Sequence, residues 1–230
     1  MKMNAQDLAK YFDHTLLKAQ ADKGQILTLC QEAREFGFYS VCVNPLWVPT
    51  AAQALYGSGV LVCTVVGFPL GATSPQAKAE ETRIAREEGA GEIDMVIALG
   101  ALKSGNWDLV AADITGVVKA AGPLPVKVIL ETCYLTEEEI IKACKTAQGA
   151  GARFVKTSTG FGSGGATKEV VALMKKTVAP ALLVKASGGI RTLEETMTMI
   201  EAGADRIGAS AGVAILKELA GASADQGSGY

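Results

Sequence analysis

Three lysines stand inside runs of apolar residues: Lys127 in Val-Lys-Val-Ile-Leu, Lys156 in Phe-Val-Lys-Thr-Ser-Thr-Gly and Lys185 in Leu-Leu-Val-Lys-Ala-Ser-Gly-Gly. An ammonium group loses several kcal/mol of hydration on burial unless it is paired, so each needs a reason. Two chemistries fit. A buried amine beside a second cation sheds its proton more readily and becomes a nucleophile toward carbonyls, forming an imine. Alternatively, each lysine is tied to an interior carboxylate and only holds the fold together.

Strand alternation places Phe154 and Lys156 on one side of their segment, and Leu183 and Lys185 on one side of theirs. If both sides face the same interior, the two amines share a space. Lys127 lies early in its run, which predicts a deeper position and an electrostatic role. Two acids are candidates for moving protons. Asp94, in Glu-Ile-Asp-Met-Val, is flanked by large apolar groups and needs a cation or a proton, and Asp13, in Phe-Asp-His-Thr, offers a second carboxylate. Either also reads as a plain ion-pair partner.

Glycine-rich segments follow the last three strand-like runs: Thr159 to Gly165, Ser187 to Arg191, and Gly208 to Gly212. Bare backbone N–H groups at such turns bind anions, and neutral glycine and serine donors suit one phosphate monoester on a small sugar.

These residues must be positioned by a regular frame. Eight short apolar runs recur: Tyr11 to Thr15, Tyr39 to Asn44, Leu61 to Phe68, Glu92 to Ala98, Val126 to Thr132, Arg153 to Ser158, Leu182 to Ser187 and Asp205 to Ser210. They are 23 to 33 residues apart, about what a strand, a helix and two loops consume. Between them lie amphipathic segments. Gln25 to Phe36 puts Ile26, Leu29, Cys30, Ala33 and Phe36 on one stripe, and Glu137 to Ala147 does so with Ile140, Ile141, Cys144 and Ala147. Thr136 and Thr192 each precede an acid three positions on, as helix caps do.

Eight strand–helix units in 230 residues predict a (β/α)8 TIM barrel spanning 1–230, with a short N-terminal helix and a flexible Gly/Ser tail over 221–230. The competitor, an open doubly wound sheet, wants a glycine fingerprint after its first strand, and Pro45-Leu46-Trp47 stands after Tyr39 to Asn44 instead. A barrel places function at the carboxyl ends of its strands.

Composition narrows the classes. Lysine plus arginine number 22 and aspartate plus glutamate 24, for a net charge of −2 without like-charge runs, which argues against nucleic-acid binding. No apolar stretch is long enough to cross a bilayer and no signal core opens the chain, so a cytoplasmic protein away from membranes is expected. Five cysteines at irregular spacing read as reduced, buried thiols. The single histidine, His14, cannot build a zinc site on imidazoles, and no metal or cofactor is expected.

The motifs Asp-His-Thr-Leu-Leu (13–17), Glu-Ile-Asp-Met-Val (92–96), Lys-Val-Ile-Leu-Glu-Thr (127–132), Phe-Val-Lys-Thr-Ser-Thr-Gly (154–160) and Val-Lys-Ala-Ser-Gly-Gly-Ile-Arg-Thr (184–192), in this order, resemble the deoxyribose-phosphate aldolases, a class I aldolase family. The resemblance implies reversible cleavage of 2-deoxy-D-ribose 5-phosphate to acetaldehyde and D-glyceraldehyde 3-phosphate. It places the Schiff-base nucleophile on Lys156 and makes Lys185 the second lysine that lowers its pKa. Asp94 becomes the proton donor and acceptor, Asp13 orients Lys185, and the final Tyr230 helps transfer a proton. Gly160, Gly188, Gly189, Gly208, Ser210, Thr157 and Lys127 are implied as substrate-binding residues. Two departures are visible: Phe161 where some members have a phosphate-contacting lysine, and Ala211 where a serine can occur. Partners are then a phosphorylated sugar and aldehydes, and further copies of the chain in a dimer or tetramer, with Trp47 and Tyr56 as candidate contacts. Other readings stay open: a different phospho-sugar lyase or isomerase, or a non-catalytic barrel binding phosphate or flavin mononucleotide.

Overall fold

The computed structural model describes residues 3–221. Eight parallel strands close on themselves in sequence order: β1 Phe12–Leu16, β2 Ser40–Val43, β3 Leu61–Val66, β4 Glu92–Val96, β5 Val126–Ile129, β6 Phe154–Lys156, β7 Leu183–Ser187 and β8 Arg206–Ala209. β8 pairs back onto β1 through Asp13 and Gly208, so no edge is left, and the open-sheet alternative is excluded. All eight expected strands are present; β1 is shifted one residue along from its run, and the other seven are shorter than theirs. The fifth run stops at Ile129 because Glu131 adopts φ 54° and turns the chain into a 3₁₀ turn, Thr132–Tyr134.

The helices are α1 Ala5–Ala9, α2 Lys23–Phe36, α3 Val48–Leu55, α4 Pro75–Glu87, α5 Leu99–Lys103, α6 Trp107–Ala121, α7 Glu137–Gly149, α8 Lys168–Val178, α9 Leu193–Glu201 and α10 Gly212–Leu219. Thr136 and Thr192 form the expected capping boxes with Glu139 and Glu195. α2 buries Ile26, Leu29, Cys30 and Ala33, and α7 buries Ile140, Ala143, Cys144 and Ala147, while Ile141 is only half-buried. One element was not anticipated: α5 interrupts the unit between β4 and β5, so two helices rather than one connect them.

The apolar core lies between the sheet and the helices. Inside the barrel, register and contacts stack alternate strands in layers of four, which branched apolar side chains ordinarily fill. Here the deepest layer is Ser40, Glu92, Phe154 and Arg206, the next Asp13, Cys63, Lys127 and Lys185, and the third Cys42, Asp94, Lys156 and Gly208. Seven of these twelve residues are charged, so the lumen is an ionic network rather than a hydrophobic plug.

Among the described residues no helix is long and apolar enough to cross a membrane. Cys30, Cys42, Cys63 and Cys144 are buried free thiols, but Cys133 lies in the turn after β5 and is partly exposed, contrary to the expectation for it. Trp47 packs against the core, whereas Tyr56 is 89% exposed. All but Gly221 of the expected tail, including Tyr230, lies outside the described residues.

Candidate active site

Lys156 and Lys185 are register partners on β6 and β7, and both point into the lumen toward Asp94 of β4. Asp94 saturates its acceptor capacity. Its Oδ2 takes Lys156 Nζ at 2.8 Å and Lys185 Nζ at 2.7 Å, and its Oδ1 takes Lys127 Nζ at 2.9 Å and Cys63 Sγ at 3.1 Å. Beneath it, Asp13 accepts Lys185 Nζ, Ser40 Oγ at 2.8 Å and Arg206 Nη1 at 2.7 Å. Glu92 Oε2 joins Lys127 at 2.7 Å to Arg206 at 3.0 Å. Asp13 is thus the second residue of β1, in the layer below Asp94 rather than at the strand's carboxyl end.

The charges do not balance: Lys127, Lys156, Lys185 and Arg206 face only Asp13, Glu92 and Asp94. Lys127 is within 4 Å of three carboxylates, Lys185 of two and Lys156 of one. Burial disfavours charge on Asp94, but Lys127, Lys156 and Lys185 outweigh it and hold the carboxyl well below its usual range. Asp13 is likewise held down, burial being overcome by Lys185, Lys127 and Arg206. Lys185 is pushed up rather than down, since Asp13 and Asp94 overcome its desolvation, and Lys127 is raised in the same way. The expected mutual repulsion of two bare amines is therefore amended, because carboxylates sit between them and Lys185 is a standing cation.

Above this network a cavity of 260 Å³ opens at the carboxyl ends of β1, β6, β7 and β8, with Lys156 in its floor. The loops after β6, β7 and β8 line it with Gly160, Gly188, Gly189, Gly208 and Ser210. The backbone N–H groups of Gly160, Gly188, Gly189 and Ser210 have no acceptor among the described residues, as an anion site requires. Gly208 has a steric reason too, since a Cβ there would meet Lys185 Cε at 2.9 Å. Likewise Gly165 lets two loops touch, because its Cβ would lie 2.1 Å from the Gly188 carbonyl oxygen.

Two expected binding residues do not reach the cavity. Thr157 is fully buried, donating its hydroxyl to the Ser187 carbonyl at 3.0 Å and accepting the Ser187 N–H at 3.1 Å, so it fastens β6 to β7. Lys127 is fully buried a layer below. Thr159, Ser187, Ile190 and Arg191 line the wall within the expected glycine-rich segments, Thr15 and Lys18 line it without having been assigned there, and Glu92 and Arg206 complete the network. Glu92 was detectable, as it shares the phase of Asp94 along β4. Phe161 is 56% exposed and stands edge-on to Phe68 at 5.3 Å. Ala211 does not line the cavity.

Donor atoms of Cys42, Cys63 and Asp94 lie within 4.8 Å of one another, the spacing of a metal site. Three lysine side chains already occupy Asp94, however, and the charge on Lys127 and Lys185 opposes another cation.

A model of the DeoC/LacD family aldolases matches residues 8–218. The chain belongs to the DeoC/LacD aldolase family. It is an aldolase, hence a lyase. It is 64% identical over 211 residues to the deoxyribose-phosphate aldolase of Macrococcus caseolyticus, covering 92% of this chain and 96% of that one. To the deoxyribose-phosphate aldolase of Bacillus subtilis it is 58% identical over 224 residues, 97% and 99% of the two chains. Among solved structures, this aldolase superimposes on a tetrameric deoxyribose phosphate aldolase from Aeropyrum pernix with a TM-score of 0.89 and 33% identity, over 94% of this chain and 92% of that one. An aldolase designated QR15 gives a TM-score of 0.90 and 43% identity, over 94% and 96%.

Proposed function

We propose that this family member is a class I aldolase that reversibly cleaves 2-deoxy-D-ribose 5-phosphate into acetaldehyde and D-glyceraldehyde 3-phosphate through an imine on Lys156. One observation carries the assignment. Of the three lumen lysines, Lys156 alone opens to the cavity, and it has the fewest carboxylate partners in a network with one cation too many. The surplus of positive charge thus lies beside the one lumen amine that a carbonyl substrate can reach, while Lys185 is held charged.

The neutral amine attacks the C1 aldehyde, and loss of water gives a protonated imine that draws electrons from the C2–C3 bond. Removal of the C3 hydroxyl proton breaks that bond, releases the three-carbon aldehyde and leaves an enamine on Lys156. Asp94 Oδ2 touches both amines, so it links Lys185, the proton source, to the reacting nitrogen. Asp13 fixes Lys185 from below. Free N–H groups of the glycine loops would hold the phosphate, with Lys18 and Arg191 on the same wall. The reading includes a cytoplasmic enzyme acting as a dimer or tetramer, supported by the tetrameric relative, with Tyr230 assisting proton transfer.

Incubation with acetaldehyde and borohydride should add one ethyl group at Lys156, located by peptide mass mapping. A phosphate-binding barrel, or an isomerase using Lys156 as a simple base, would add nothing.

A further inference from the structure

Glu131 is a buried acid that the proposed reaction does not use. It is 2% exposed, and among the described residues it is the one non-glycine residue with a positive φ, 54°. Such a conformation costs free energy in an L-residue and persists only where its surroundings enforce it. Its carboxylate makes no ion pair among the described residues and serves Thr159 alone. Oε1 accepts the Thr159 backbone N–H at 3.1 Å, and Oε2 accepts the Thr159 hydroxyl. The Thr159 hydroxyl oxygen in turn accepts the Phe161 N–H at 3.0 Å.

The fit is tight from the other side. A Cβ on Gly162 would lie 3.0 Å from Glu131 Cδ and 3.0 Å from Cys133 Sγ, so the loop rests directly on this carboxylate. The left-handed turn at Glu131 also leaves both flanking backbones paired to the lysine strand and its extension. Leu130 N–H donates to the Lys156 carbonyl at 2.9 Å, and Thr132 N–H to the Thr157 carbonyl at 3.0 Å. The residues so held, Thr159, Gly160 and Phe161, form the cavity wall three to five positions after Lys156.

We infer that Glu131 is a positioning residue: its carboxylate is the template on which the loop after β6 takes the shape that receives the phosphate-bearing end of the substrate. It therefore sets discrimination between phosphorylated and unphosphorylated sugars, an inference that rests on the substrate proposed above. The effect travels through Thr159, since Glu131 itself does not line the cavity.

The test uses the full chain and compares cleavage of 2-deoxyribose 5-phosphate with that of 2-deoxyribose. Glu131→Gly suits the left-handed backbone while removing the template. It should lower kcat/KM for the phosphorylated sugar about tenfold, mainly through KM, as expected for losing a hydrogen-bonded anchor, and lower that for 2-deoxyribose much less. Thr159→Val should reproduce the split from the other end, and the double variant should be no worse than either single one. Glu131→Gln, whose amide oxygen still accepts the Thr159 N–H, should recover most of the discrimination. Equal losses on both sugars, or no change in KM, in Glu131→Gly and Thr159→Val would overturn the inference. If Glu131→Gly does not fold, Thr159→Val and Glu131→Gln decide it alone. Failure of the parent protein to trap acetaldehyde or cleave the phosphorylated sugar would instead strike the proposed function.

Discussion

Two places in this barrel bury a lysine completely, and they differ in kind. Lys78, on α4, donates to Asp113 of α6 at 2.6 Å and to the Val96 carbonyl at 2.9 Å, with both charged side chains fully shielded. One cation meets one carboxylate, neither side chain reaches solvent, and the pair fastens two helices. In the lumen, four cations share three carboxylates and one amine opens to a cavity. The carboxyl groups respond in opposite senses. Burial dominates at Asp113 and raises its pKa against Lys78, whereas the surrounding lysines lower that of Asp94. Burial of a lysine is therefore no sign of chemistry by itself. A surplus of charge with a route to the outside is.

The largest expected effect separates the two sites. Lys156→Ala should lower aldol cleavage by at least about 10⁴-fold, because the covalent step has no substitute, and should leave stability nearly intact since the network then balances. Lys78→Met should do the reverse. Stranding Asp113 without its cation should cost about 3–5 kcal/mol in urea unfolding, while the folded fraction keeps its turnover. A Lys78 variant that is stable but inactive would erase the distinction.

Within the network, Lys185→Leu sharpens the charge argument. Three cations would then face three carboxylates, so the surplus of charge beside the proposed nucleophile disappears. The expected result is a fall in kcat of about 10²-fold or more at neutral pH, with partial recovery toward alkaline pH. An unchanged rate and pH profile would show that Lys185 does not control its neighbour.

Much of this was legible in the residues. The strand spacing predicts eight units, and lysines in apolar runs mark β5, β6 and β7. What alternation could not supply is depth. The early place of Lys127 in its run does predict that it lies deeper than Lys156, and the stagger of the strands then puts one in a sealed layer and the other in the cavity floor. Thr157 is implied as a binding residue by the resemblance alone, whereas its hydroxyl is spent on Ser187. Arg206 and Glu131 carry no local signal. Their partners lie 193 and 28 residues away, and a non-glycine φ of 54° is not encoded in any turn motif. The Lys78–Asp113 pair spans 35 residues between two helix faces and was equally hidden.

The smallest effect concerns pH, because the carboxyl groups of the two sites are shifted in opposite senses. Asp13 and Asp94 have lowered pKa values in the folded state, so they stabilise it above the ordinary carboxylate value near ~3.9 and lose that contribution only as pH falls through their lower folded values. Lys127 and Lys185 have raised values, so their contribution is complete below about 10.4 and is lost only at still higher pH. These four groups thus add no slope to stability between about pH 4 and pH 10. Asp113 is the contrary case. Its folded pKa is raised, so the folded state binds more protons than the unfolded one and stability falls as pH rises through that interval. Lys78 opposes this rise, so Lys78→Met should enlarge it and steepen the loss of stability from pH 4 toward pH 7, by about 1.4 kcal/mol for each unit of further upward shift. Urea midpoints across that range are the measurement. Parallel curves for the parent and Lys78→Met would mean that the helix pair is as strongly compensated as the lumen, and the contrast between the two sites would reduce to access alone.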